Sequence, residues 1–333
     1  MNRLTDNKVV LVTRPTRLAE LVARFNTVSQ ARFYIEHQGA DFGDYQREDE
    51  TYHLALVETQ TVLAELGRVQ TVDRAFLPNF VFAPDDIVVT LGQDGLVANT
   101  LKYLDGQPVV GVNPDPTRWD GKLLPFTVHD LSKIMPEVFS HGRHTKTVTM
   151  AKATLNNGQA MYAVNDLFIG PRSHTSARYV IQSGKSSETH SSSGVIVSTG
   201  MGSTGWFKSL LTGAAAISQS AMSVLVRPET QDVVARRGQI NVRPAKLQTN
   251  VRTEFAWDAD YLYFTVREPF PTMRTGASLV FGRVTSESPL RLDSLMAENG
   301  VIFSDGIEKD FLEFNSGTQV IIGLAERKGR LVE

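Results

Sequence analysis

Four segments of this chain combine glycines, hydroxyls, amides and carboxylates in patterns suited to handling phosphate and sugar groups. The first reads Thr90-Leu91-Gly92-Gln93-Asp94-Gly95-Leu96 and lies between an apolar run and a stretch of helical periodicity. Glycines there let a backbone approach phosphate oxygens, and a helix start offers free N–H groups and a favourable dipole. A carboxylate repels phosphate, so Asp94 makes chemical sense as the acceptor of a proton from an attacking hydroxyl. Taken alone, the segment fits a tight turn with Asp94 as helix N-cap equally well. The second, Gly111-Val112-Asn113-Pro114-Asp115-Pro116, leaves the C-terminal end of the next apolar run, the edge where ligands gather in open α/β sheets. By itself it reads as a proline-stiffened turn. The third, Ala163-Val164-Asn165-Asp166-Leu167-Phe168-Ile169-Gly170, puts two polar side chains inside an apolar strand. Adjacent strand residues face opposite ways, so at least one of Asn165 and Asp166 can end on a buried face and need a partner, from a ligand or from an internal turn. The fourth runs from Ser193 through Ser198-Thr199-Gly200-Met201-Gly202-Ser203-Thr204-Gly205-Trp206. It offers hydroxyls and unhindered amides before a helix, apt for ribose and phosphate, and Trp206 for stacking on a base. Its bland alternative is a serine-capped helix with a core tryptophan.

These segments need a frame. Lys8–Thr13, residues 86–91 and residues 108–112 are short apolar runs like buried parallel strands. Residues 18–25, 53–66 and 96–104 have helical spacing, the second stopping at Gly67. The alternation predicts a parallel sheet covered on both faces. Residues 36–50, polar and rich in Gly and Asp, read as a loop. From about residue 128 the texture changes to many strand-like runs, at 146–154, 161–169, 176–183, 223–226, 249–255, 261–266, 278–284 and 319–323. Asn156-Asn157-Gly158 marks a turn between two of them. One helix is expected at 204–214, and residues 186–193 read as a polar loop. The expected organisation is α/β followed by a mainly antiparallel β domain, over residues 1–127 and 128–333, with the last ~10 residues packing back on the first domain.

Bulk properties exclude several classes. The chain has 333 residues, 41% of them hydrophobic, a net charge of −2 and no cysteine. Disulfides, thiolate catalysis and cysteine-bound zinc are therefore out, and no global basic field points to nucleic acid or an anionic membrane. The His141-Gly142-Arg143-His144 run lacks a further ligand at metal spacing and reads as a solvated loop. No apolar stretch approaches membrane-spanning length and no signal-like core opens the sequence, so a cytoplasmic location is expected.

In this order and spacing the four segments resemble the NAD kinase superfamily, which carries a Gly-Gly-Asp-Gly loop, a Gly-Val-Asn segment, an Asn-Glu or Asn-Asp pair and a Gly-Ser-Thr-Ala-Tyr-like loop. Ser304-Asp305-Gly306 is similar to a further Asp-Gly turn of the family. The resemblance spans roughly residues 8 to 323. It is closest to the mitochondrial-type branch, on the strength of Asn113-Pro114-Asp115-Pro116, residues 165–170 and Ser192-Ser193-Gly194.

The resemblance implies a phosphofructokinase-like α/β domain, a β-rich domain and an active site in the cleft between them. It implies ATP-dependent phosphorylation of the adenosine-ribose 2′-hydroxyl of NAD, with Mg²⁺, in a homo-oligomer such as a dimer. Asp94 is then the catalytic carboxylate. Gly92, Gln93 and Gly95 lie at the phosphates and Asn113 in the neighbouring loop. Asn165 and Asp166 bind acceptor ribose or base, and Ser198, Thr199, Gly202, Ser203, Thr204 and Trp206 line the dinucleotide pocket. Arg118, Lys122 and Arg172 are candidate counter-charges. The departures bear on the acceptor: Gln93 replaces a glycine, Asp166 the commoner glutamate, Thr199-Gly200-Met201 a Thr-Pro-Thr stretch and Gly205-Trp206 an Ala-Tyr pair. Two rivals stay open: a kinase of this fold acting on another nucleotide, a sugar or a lipid, and a nucleotide-binding regulator without turnover. Neither the donor, ATP or polyphosphate, nor the choice of NAD over NADH is fixed by these residues.

Overall fold

The computed structural model describes residues 5–225 and 253–333. In chain order the elements are β1 (Lys8–Thr13), α1 (Arg17–Phe25), α2 (Val28–His37), α3 (Phe42–Leu66), β2 (Arg68–Asp73), β3 (Ile87–Leu91), α4 (Asp94–Leu101), β4 (Pro108–Asn113), β5 (Phe126–Thr127), α5 (Leu131–Phe139), β6 (Thr145–Leu155), β7 (Ala160–Ala163), β8 (Asp166–Pro171), β9 (Ala177–Ser183), β10 (Ser186–Ser192), β11 (Val195–Ser198), α6 (Trp206–Leu225), β12 (Leu262–Val266), β13 (Phe281–Val284), β14 (Leu290–Ser294), β15 (Gly300–Ser304), β16 (Phe311–Glu313) and β17 (Gln319–Val332). Strands β1 to β4 pair in parallel, in the order β4-β3-β1-β2. Their apolar runs are continuous because both faces are covered. Val9 and Leu11 pack with Tyr52 and Leu63 of α3 and Leu131 and Met135 of α5, whereas Val10 and Val12 pack with Leu96, Val97 and Leu101 of α4.

The later strands form two layers. One extends the parallel strands into an eleven-stranded sheet in the order β10-β9-β14-β17-β4-β3-β1-β2, with β5 on β4, β6 beside β17 and β7 beside β6. The join is β17, antiparallel to β6 along most of its length and parallel to β4 through Arg330 and Leu331. A register shift between Leu324 and Lys328 breaks its ladder, a bulge of the kind that bends a strand. The other layer is a six-stranded antiparallel sheet, β13-β12-β11-β8-β15-β16. It alternates as strands sandwiched between layers must. Leu167, Ile169, Val195 and Val197 face a core shared with β6, β9, β14 and β17, while Phe168 and Ile196 face Trp206 and Leu210 of α6.

Several expectations need correction. Residues 36–50 are not a loop: α2 and α3 are separated only by residues 38–41. Asp41 caps α3, its side chain accepting from the Gly43 amide. The charges that made this stretch look solvated are paired instead, Asp44 with Arg17 and Arg118, and Glu48 with Arg14 and Arg17. The polar run 186–193 contains an edge strand, β10, in which the inward His190 is bonded to Glu188 and Ser192 to Tyr179. The apolar run 161–169 is two strands in two sheets, because the chain changes layer at Val164 and Asn165. The helix expected at 204–214 continues to Leu225, so residues 223–225 are helical rather than strand. Val226 and residues 249–252 of two expected strands lie outside the described residues, and residues 253–255 are irregular. Five further strands, β2, β5, β14, β15 and β16, all of six residues or fewer, were not expected from the sequence.

Candidate active site

The C-terminal ends of β1, β3 and β4 form one edge, and the first two segments meet on it. Burying Tyr52 between β1 and β3 lets its hydroxyl accept from the Arg14 amide (3.0 Å) and donate to the Leu91 carbonyl (3.1 Å). Gly92 then turns the chain into α4. A Cβ there would lie 2.8 Å from a Leu96 methyl and 3.5 Å from the Arg14 side chain. Gly95, by contrast, is exposed, and a Cβ on it would meet nothing within 4 Å.

Asp94 is the first residue of α4, preceded by Gln93 as an N-cap whose side chain makes no capping bond. Asp94 does not cap the helix either. Its carboxylate accepts the amides of Leu123 (2.8 Å) and Lys122 (3.3 Å). The second segment delivers those amides. A Cβ on Gly111 would sit 2.0 Å from the Leu123 carbonyl, so only glycine lets residues 121–124 cross β4. Asn113 pins the intervening loop, donating to the Trp119 carbonyl (2.9 Å) and accepting from the Asp115 amide (3.0 Å). Both ends of that amide are thereby engaged within the loop.

The third and fourth segments meet at the layer change. Ser198 at the end of β11 pairs with Asp166 at the start of β8. Thr199 fastens the joint: its amide and hydroxyl reach the Asn165 carbonyl (2.9 and 3.1 Å), and its hydroxyl also accepts from the Gly202 amide (3.2 Å). Gly202 and Gly200 are required by close backbone approach, since a Cβ would lie 2.0 Å from the Asn165 carbonyl oxygen and 1.9 Å from that of Ala256 respectively. Ser203 donates to the Gly200 carbonyl (2.6 Å). Of Ser198, Thr199, Ser203 and Thr204, only Thr204 is exposed and free of side-chain hydrogen bonds. Trp206 stacks on Phe168 with centroids 5.8 Å apart, and Arg267 lies 5.4 Å from its ring centre. The indole is thus committed to the outer face of the six-stranded sheet.

One apolar cluster joins the two corners. It holds Leu96 and Val97 just after Asp94, Leu123 and Leu124, Val164 just before Asn165, and Met201 just before Gly202. The first, third and fourth segments thus share one core, and the second touches it through residues 123–124, which cross β4 at Gly111. The Asn165 side chain makes no hydrogen bond among the described residues, and neither does the buried carboxyl of Asp166. Burial, followed by the charge of Asp305, pushes Asp166 up to about 7. The candidate counter-charges are engaged elsewhere. Arg118 bonds Asp44 (2.6 Å), and Arg172 lies over the Phe311 ring (3.9 Å), while Lys122 enters through its backbone amide. A cavity of about 560 Å³ beside Asp115 and Arg118 is lined by polar side chains, among them Arg47 and Glu50.

Two contributors escaped the sequence reading. Arg14 follows β1 directly, so its place just past a parallel strand's C-terminal end was the available signal. Its buried guanidinium bonds Glu48 (3.0 Å), and its Nε has no partner. Lys102, a lone cation ending an apolar helix, is buried against Ser304 (3.2 Å) and Asp310 (2.9 Å). Among the described residues no group of three or more His, Asp or Glu is arranged to hold a metal ion, and no helix is long and apolar enough to cross a membrane.

No protein-family model and no curated protein matches the chain. Solved structures do. An NAD kinase from Archaeoglobus fulgidus in complex with ATP aligns with a TM-score of 0.52 and 13% identity, covering 98% of this chain and 93% of that one. Yeast NADH kinase complexed with NADH aligns with a TM-score of 0.55 and 15% identity, over 98% of this chain and 84% of that one. At such identities the likeness establishes a shared fold, an α/β part joined to antiparallel sheets.

Proposed function

We propose that the chain transfers the γ-phosphoryl group of ATP to the 2′-hydroxyl of the adenosine ribose of NAD or NADH. The observation that carries this reading is the meeting of three distant segments on one apolar cluster, to which Gly111 of the fourth admits residues 123–124, with Asp94 held at the mouth of a helix and Asn165 and Asp166 at the adjoining layer change. It is supported by the fold shared with an ATP-bound NAD kinase and an NADH-bound NADH kinase. The likeness to the mitochondrial-type branch rests on the segment residues alone.

In this mechanism Asp94 orients the acceptor hydroxyl and takes its proton. The hydroxyl oxygen bonds to the γ-phosphorus, the bond to the bridging β,γ-oxygen breaks, and ADP leaves. The amides of Leu123 and Lys122 keep the carboxylate in one orientation, so little reorganisation is left to the reaction itself. The open backbone at Gly95 and the first turn of α4 would face the phosphates. Mg²⁺, when bound with the nucleotide, would offset charge on the transferred group, and Asp94 is the carboxylate that would lie beside it. Asn165, Asp166 and Thr204, whose side chains the fold leaves unbonded, would meet acceptor ribose and base. Trp206 would act from behind, bracing the sheet that carries them. A homodimer belongs to the same proposal and is read by light scattering.

The test is incubation of purified protein with Mg²⁺, NAD or NADH, and either ATP or polyphosphate, scoring NADP or NADPH. Product with ATP supports the reading. Tight NADP binding without product, or turnover only of a sugar, lipid or other nucleotide, overturns it.

A further inference from the structure

The turn after β15 is built around a carboxylate that has no exposed task. Asp305 adopts a left-handed backbone (φ 55°), followed by Gly306 (φ 73°). From there its Oδ1 accepts the amides of Val164 (3.1 Å), Asn165 (2.6 Å) and Asp166 (3.3 Å), and Oδ2 lies 3.2 Å from the Val164 amide. Its own amide returns a bond to the Asp166 carbonyl (3.0 Å). Those three residues are where the chain leaves one sheet for the other, and the Asp305 carboxylate takes up their amides there; an unpaired buried amide is costly. Immediately before Asp305, the Ser304 hydroxyl meets the buried ammonium of Lys102, which also bonds Asp310. Lys102 caps the C-terminal end of the helix that begins at Asp94.

We propose that Asp305 is a positioning residue for the acceptor pocket: it gathers the amides of residues 164–166 and so aims the side chains of Asn165 and Asp166, while Lys102 ties that turn to the Asp94 helix. The proposal rests on the kinase reading above for its kinetic consequence. A second consequence is electrostatic. The groups facing Asp166 are Asp305 from the turn, with Lys102 and Asp310 behind it from α4 and the segment after β15. Burial raises Asp305, and the Asn165 amide and the Lys102 charge oppose that rise. Burial first and the Asp305 charge second push Asp166 up to about 7, so that a protonated carboxyl there can donate a hydrogen bond to an acceptor group on the ligand.

Asp305→Asn retains shape and removes the charge. We expect the KM for the dinucleotide to rise about tenfold, with kcat within about threefold of the unaltered protein. We also expect the Asp166 carboxyl, followed by ¹³C NMR, to titrate at lower pH than in the parent. Lys102→Met, which leaves the three amide bonds in place, should raise the same KM less. If Asp305→Asn does not fold, the Lys102→Met kinetics and the Asp166 titration in the parent protein still decide. An Asp166 midpoint in the ordinary carboxylate range, or unchanged KM in folded variants, overturns the proposal. If the parent phosphorylates no dinucleotide, the kinase reading fails, whereas the carboxyl titrations remain informative about Asp305.

Discussion

Asp94 and Asp166 stand at the two corners of the same candidate site and are held in opposite ways. Asp94 is half-buried and accepts two backbone amides brought across β4 by a crossing segment that Gly111 alone permits. The Asp166 carboxyl is buried, accepts no hydrogen bond among the described residues, and lies beside a second carboxylate. In the proposed mechanism the first corner takes the proton of the acceptor hydroxyl and the second gives a hydrogen bond to the ligand. The lesson is that residue type does not set a carboxylate's role; the donors around it do.

The largest effect should come from Asp94→Asn. Turnover is expected to fall about 10²- to 10⁴-fold, while the thermal midpoint by circular dichroism stays near that of the parent. Full activity would erase the distinction between the corners.

The second test is pH. Burial, followed by the Asp305 charge, pushes the folded-state pKa of Asp166 from the ordinary carboxylate range up to about 7. Its contribution to stability is therefore fully present below pH ~4 and is lost as pH rises towards ~7. Asp166→Asn stays neutral throughout and should lose nothing over that window. Measured by urea unfolding, its stability relative to the parent should improve by about 1–4 kcal/mol between pH 4 and pH 8. A pH-independent difference would show that Asp166 is not held as an acid.

Next come the glycines that permit close crossings. Gly111→Ala and Gly202→Ala place a Cβ 2.0 Å from a backbone oxygen, and each should cost about 1–3 kcal/mol in urea. Gly111→Ala should mainly lower kcat, through Asp94, and Gly202→Ala should mainly raise the KM for the dinucleotide, through Asn165. The smallest stability change belongs to Gly95→Ala. With open space around that position, stability should hold or rise by up to about 1 kcal/mol. A rise in the KM for ATP would then report backbone contact with phosphate.

Much of the parallel half was legible. Lys8–Thr13 coincides with β1, and residues 86–91 and 108–112 differ from β3 and β4 by a single residue at one end. A strand covered on both faces must be apolar throughout, and such a run is visible without knowing its neighbours. The α2–α3 region was not, because its helical charges pair with Arg14, Arg17 and Arg118 from other elements. The apolar run 161–169 hid its break for a related reason: the residues on both sides are buried, so hydropathy is blind to a change of sheet.

The site divides along the same line. The sequence by itself singled out the four segments of the candidate site, because glycines beside a carboxylate, amide or hydroxyl are informative locally. It also determined that Asp94 opens a helix. Only the tertiary structure decided what each residue is free to do. It placed the amides of residues 122–123 on Asp94 and Asp305 under residues 164–166, and it turned Trp206 onto Phe168. It also consumed the side-chain bonding capacity of Asn113, Thr199 and Ser203 inside the fold. The bonds to Asp94 and Asp305 join atoms 28 to 141 residues apart in the chain, and a hydrogen bond acts over about 3 Å of space whatever the separation in sequence.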